Sequence, residues 1–298
     1  MFKRVALFLA TNIAVMVLLS VVMFILQSVF GIRLGNNGAL LLMAGLFGFG
    51  GALISLALSK WTAKRMTGMA LLDPANPGGE TQRWLVDLVR RQATTAGIGM
   101  PEVGIYDAPE INAFATGANR NNALVAVSTG LLRAMNRDEA EAVIGHEITH
   151  VANGDMVTLT LIQGVVNTFV IYLSRVVGRV IDTAISGGRS DSGPGIAYFL
   201  IVLMLQVVFG LLASIIVMAF SRWREFRADA GGARLAGRGK MIAALEKLGM
   251  AHGESTLPKA IAAFGISGSI AHGLQGLFRS HPPLEQRIQR LRDAGTVA

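Results

Sequence analysis

The chain has 298 residues, 52% of them hydrophobic and only 15% charged, and its mean hydropathy is +0.51. That balance excludes a water-dispersed globular domain and points to a membrane protein. The net charge of +8 forms no stripe for nucleic acid, which is excluded as a partner: it gathers beside apolar runs as Lys3 and Arg4, as Lys60, Lys64 and Arg65, and as Arg222, Arg224 and Arg227, where anionic lipid headgroups meet it.

The first apolar run, Val5 to Phe30, spans about 39 Å as a helix, more than the roughly 30 Å hydrocarbon layer. Its apolar core is too long for a signal peptide, and it reads as a retained anchor. The second run, Ala39 to Ser59, carries Gly45, Gly48, Gly50 and Gly51. Small residues of this kind let helices approach closely in lipid, although a loosely packed span would read the same way. The basic residues at both ends of this hairpin place those ends in the cytoplasm.

From about Gly68 to Gly154 the hydropathy falls. Trp84, Leu85, Leu88 and Val89 recur at helical spacing within Glu80 to Ala96. Three short runs, "EVGIYDA", "INAFATG" and "ALVAVST", read as strands separated by turn formers such as "ANRNN", and one of them can present an edge to an extended peptide. Asn136 with Glu139 is an N-terminal capping pair, and Asn153-Gly154 is a helix stop. A third apolar run, Met156 to Ile181, contains Gln163, Asn167, Arg175 and Arg179. The two arginines fall at its outer end, against the charge rule for orientation. The fourth run, Ile196 to Phe220, ends in the basic "SRWREFR". The remainder reads as mainly helical.

The capped helix holds "HEITH". Residues four apart share a helix face, so His146 and His150 can offer one nitrogen each to a single ion. Glu147, about 100° around the helix, can reach a water on that ion instead of the ion itself. The chain has no cysteine, so the ligands must be nitrogen and oxygen, which suits a catalytic zinc. Such a site needs a third protein ligand. Glu225 in "REFRAD" is the candidate, because the hairpin formed by the last two apolar runs returns it to the side the histidines left. Asp229, one turn further on, can orient a ligating histidine. His281, stiffened by two prolines, can donate to an oxyanion, or it can be an exposed histidine with no role.

"NAFATG", "AVIGHEITHVANGDMVTLTLIQGVVNTFV", "SRWREFRADAGGARLAGR" and "SHPPLEQRI" together resemble the HtpX family of bacterial inner-membrane zinc metalloproteases, related to the membrane CaaX-processing endopeptidases. The resemblance implies a membrane α-helical plus α+β fold. Four transmembrane helices in two hairpins would accompany a cytoplasmic zincin-like metalloprotease domain with a small β-sheet and the H-E-x-x-H helix. Residues 1–66 would be the first hairpin, 67–155 the first part of the protease domain, 156–221 the second hairpin and 222–298 the second part. It also implies Zn2+ on His146, His150 and Glu225, Glu147 as general base, Asp229 behind the ligands, Asn112 lining the substrate cleft and His281 near the oxyanion. The implied partners are the lipid bilayer and, as substrates, unfolded or damaged membrane proteins cut in their cytoplasmic parts during quality control and stress.

Three other readings compete. An intramembrane protease carries its motif inside a span, whereas this helix bears Arg137, Asp138, Glu139 and Glu141. A transporter would use the polar residues of the third run. A non-catalytic zinc-binding scaffold would have no use for Glu147.

Overall fold

The computed structural model describes residues 37–185, 195–251 and 281–294. The first expected span, Val5 to Phe30, lies outside them, as do His252 and His272. The chain forms two compact units, Met1–Leu56 with Thr158–Val217 and Ala57–Val157 with Met218–Ala298.

Among the described residues, three helices are long and apolar enough to cross a membrane: α1 (Asn37–Thr67), α5 (Asp155–Ile185) and α6 (Ile196–Ala236). Their exposed faces carry large apolar side chains, among them Phe169, Phe199, Leu203 and Leu211, which only a lipid surround accommodates at this density. Where they touch, glycine permits it. A Cβ on Gly48 would stand 2.6 Å from the backbone nitrogen of Thr168, and one on Gly164 would strike the Phe49 ring. Gly45 and Gly51 face open space, so only part of the glycine pattern in α1 serves packing.

In the other unit a four-stranded sheet has the order β1-β2-β4-β3, with β1 Ala70–Leu72, β2 Glu102–Tyr106, β3 Ala113–Thr116 and β4 Leu124–Ser128. β2 and β4 run parallel, and the two outer pairs are antiparallel. β4 is buried at every position, as its unbroken apolar run demands. Helix α2 (Glu80–Thr95) sets Leu85, Val86, Leu88 and Val89 into the core beside Val103, Val125, Val127, Ile144 and Ile148. The short β1 and the single-turn α3 (Thr129–Ala134) are additions to the sequence reading. Lys60 and Lys64, expected at lipid headgroups, both reach Glu102 at the start of β2.

Helix α4 (Arg137–Asn153) begins with the full capping box: Asn136 accepts from the Glu139 backbone N–H, and Glu139 accepts from that of Asn136. It stops at Gly154, whose φ of +67° and ψ of 30° are left-handed, and α5 starts at the next residue. The fourth apolar run does not end as a helix near Phe220. α6 continues to Ala236 and yields only at Gly237, with φ +106°. Basic side chains mark where lipid stops, but they do not break a helix; a glycine cap does. α7 (Arg238–Ala251) and α8 (Leu284–Asp293) complete the described chain.

Candidate metal centre

His146 and His150 lie in the second half of α4, where the helix is buried. Their rings meet edge to face, and the two Nε2 atoms are 3.1 Å apart. Glu225, 1% exposed, brings Oε2 to 3.5 Å from His146 Nε2 and Oε1 to 3.3 Å from His150 Nε2. The continuous α6 supplies this carboxylate. Gly231 and Gly232 let α6 lie against α4: a Cβ on Gly231 would overlap the Thr149 side chain, and one on Gly232 would stand 3.0 Å from the backbone nitrogen of His146.

The three groups fit a metal ion. A tetrahedral ion with arms of about 2.0–2.1 Å requires donors about 3.3–3.4 Å apart, and the three separations bracket that value. The donor set agrees. His150 Nδ1 donates to Asp155 Oδ2 at 2.6 Å, so its Nε2 presents a lone pair. His146 Nδ1 lies 3.0 Å from Asp229 Oδ1 on an off-axis approach, and this turns its Nε2 the same way. Glu225 Oε1 is buried and has no hydrogen-bond donor. With the imidazoles neutral, three electron-pair donors converge at spacings that one divalent cation can bridge.

Outer contacts hold these groups. Arg287 of α8 grips Asp229 with two hydrogen bonds, Nε to Oδ2 at 2.8 Å and Nη2 to Oδ1 at 2.6 Å, and its Nη1 lies 3.7 Å from Glu225 Oε2. His281 Nδ1 is 2.7 Å from Glu225 Oε2. Asp155 and Arg287 went unassigned in the sequence reading. The signal for Asp155 was an acid immediately after the Gly154 cap, five residues past His150; for Arg287 it was a basic residue closing "HPPLEQR".

Glu147 projects beside the ion-binding atoms and accepts a hydrogen bond from the Ala115 N–H of β3 at 2.9 Å. Ser128 N donates to Asn112 O, so Asn112 faces β4. By the two-residue period, Ala113 and Ala115 turn their backbone groups to the free edge. A cavity of about 610 Å³ joins Asn112, His146, Glu147, Glu225 and His281 to an apolar wall containing Leu131, Val143, Met241 and Leu245.

The charges are coupled. Burial disfavours an ionised Glu225, but the imidazoles of His146, His150 and His281 outweigh it and hold the carboxyl well below the usual carboxylate range. Burial likewise opposes a charged His146, yet Asp229 and Glu225 push its pKa up to about 9. Protons and a divalent ion therefore compete for one nitrogen. Apparent metal affinity should rise about tenfold per pH unit while one proton is displaced, levelling off above about 9; competition with a chelator over a pH series measures it. The metal-stripped protein runs the opposite way. The folded pKa of His146 lies above the ordinary 6.5, so the contribution of its charged form to stability is full below 6.5 and is lost as pH climbs through about 9.

Two helix-borne histidines and a distant helix-borne glutamate, with a second glutamate within the motif, form a candidate metal centre in a chain whose described residues include three helices long and apolar enough to cross a membrane. The model of peptidase family M48 matches residues 79–294. "Protease HtpX" of Stenotrophomonas maltophilia is 64% identical over 298 residues, and "Protease HtpX" of Xanthomonas campestris pv. campestris is 63% identical over 298 residues; each match covers 100% of both chains. The crystal structure of S. mikatae Ste24p superposes with a TM-score of 0.67 at 17% identity, covering 98% of this chain and 67% of that one, a likeness of fold. The chain belongs to peptidase family M48, and is a membrane metalloprotease.

Proposed function

We propose that the ion is zinc and that the protein is an endopeptidase of the bacterial inner membrane. Its substrates are misfolded or damaged membrane proteins, cut in their cytoplasmic parts in quality control and stress. The N-terminus and the active site face the cytoplasm. Residues 1–66 and 156–221 serve as the two membrane hairpins, and 67–155 and 222–298 make the protease. The observation that carries this reading is the convergence of His146, His150 and Glu225 at tetrahedral spacing, with Glu147 beside them at the edge of β3.

Zinc, when bound there, supplies a Lewis acid and a water of lowered pKa. Glu147 takes the proton of the attacking water and passes it to the leaving amine; the Ala115 N–H fixes one of its oxygens for that task. An extended substrate pairs with the N–H and C=O of Ala113 on the open edge of β3, with Asn112 at the cleft wall. Main-chain pairing reads little sequence, which suits unfolded segments. Asp229, itself held by Arg287, and Asp155 orient the two imidazoles. His281 is anchored to Glu225 through Nδ1 and offers its second ring nitrogen to the oxyanion.

The test is cleavage of a denatured membrane protein by the detergent-purified enzyme before and after a chelator. Activity should vanish on chelation and return with zinc. Unchanged cleavage after complete metal removal would refute the reading.

A further inference from the structure

The apolar unit holds a cavity of about 380 Å³. Met43 and Phe47 of α1, Asn167 and Arg175 of α5, and Gln206 of α6 line it. Three polar side chains thus converge on one space between helices whose other faces suit lipid.

Arg175 lies 17 residues beyond Thr158, where the α5 part of this unit begins. That is about 25 Å along the helix, close to the far edge of a roughly 30 Å hydrocarbon layer. Its guanidinium does not continue outward. Nη1 donates back to Ile171 O at 3.2 Å, because side chains on a helix lean towards its N-terminus, and this turns the charge into the cavity.

The chain itself offers little to balance that charge. In residues 1–56 and 158–217 the sequence contains two carboxylates, Asp182 and Asp191. Asp182 is seven residues past Arg175, about 10 Å further along the helix, in the direction away from the guanidinium. Asp191 lies outside the described residues. No carboxylate among the described residues lies at ion-pair distance from Arg175, and Asn167 and Gln206 make no side-chain hydrogen bond among them. A cation and two amides facing one space, with no carboxylate among the described residues at ion-pair distance of the cation, suit an anion from outside the chain. Bilayer lipid supplies one in the headgroup layer at that end of the helix, and a guanidinium is the side chain best matched to a phosphate.

We propose that this cavity is a phospholipid site, in which the phosphodiester pairs with Arg175, the amides of Asn167 and Gln206 donate to headgroup and glycerol oxygens, and the acyl chains run along Met43 and Phe47. The site is independent of the metal centre.

The test titrates the full-length, delipidated protein in detergent with phosphatidylglycerol, with diacylglycerol of the same chains, and with inorganic phosphate, read by native mass spectrometry. Phosphatidylglycerol should bind at least about fivefold more tightly than diacylglycerol, the value of one basic side chain at a headgroup. Arg175→Gln should abolish that preference, Arg175→Lys should keep part of it, and metal content should stay at the wild-type level in both. If Arg175→Gln does not fold, the double variant Asn167→Leu with Gln206→Leu should weaken phosphatidylglycerol more than diacylglycerol, which lacks the headgroup oxygens but keeps the glycerol ones. Equal binding of the two lipids would overturn the proposal, as would full retention by the variants. Saturation by inorganic phosphate alone, or occupancy only by a transmembrane peptide bearing a glutamate, would overturn it too.

Discussion

Glu147→Gln should lower peptide cleavage by about 10²–10⁴-fold, the contribution of a positioned general base, while metal content stays at the wild-type level. The two readouts separate because the side chain does different things with its atoms. It is absent from the group of donors that could hold an ion, so its charge is not needed to bind metal. Its oxygen accepts the Ala115 N–H, and a glutamine oxygen can do the same, so the edge strand and the motif helix keep their spacing. What glutamine cannot do is accept a proton from water at neutral pH. The check is a single-substrate rate measurement beside metal analysis of the same preparation. Cleavage within tenfold of wild type would remove Glu147 from the mechanism, and loss of metal would make it a ligand.

Much of this centre was legible in the sequence because its information is local. The spacing of His146 and His150 is a helix repeat, and the helix announces both its ends, at Asn136 with Glu139 and at Gly154. The strands declared themselves by short apolar runs, but their order did not. β3 lies between β2 and β4 in the chain yet at the edge of the sheet, and side-chain alternation carries no record of which strand is left unpaired. Glu225 could be named from topology, since two long apolar runs must return the chain to the side it left. What the basic run marks is where the apolar stretch stops; the helix itself continues through Arg and Glu until Gly237 ends it. Arg287 was beyond reach for another reason. Its meaning lies in a bidentate grip on Asp229, 58 residues away, and no periodicity links a tail helix to a carboxylate on a different element. The same holds for Gly231 and Gly232, which look like helix-weakening residues until the Thr149 and His146 contacts show what their lack of a side chain permits.

Glu225→Ala should cost both the metal and the fold's stability. The carboxylate is 1% exposed and stands among His146, His150, His281 and Arg287. Its removal leaves buried groups that were balanced against a full negative charge, and breaking one side of such a buried arrangement typically costs about 3–5 kcal/mol. A metal ion would then have two imidazoles only, and dialysis should strip it from the variant under conditions where the wild type stays loaded. The thermal midpoint of the chelated proteins isolates the electrostatic part, because neither then carries metal. At pH 6.5 the variant should melt well below the wild type. The gap should narrow towards pH 9.5, since the wild type's protonated His146, with its pKa raised to about 9, is lost there in any case and takes its pairing with Glu225 with it. A pH-independent gap would mean that Glu225 supports the fold through packing and not through charge. Retained metal with intact cleavage would show that the third ligand is another residue, and the reading of the centre would have to be rebuilt around it.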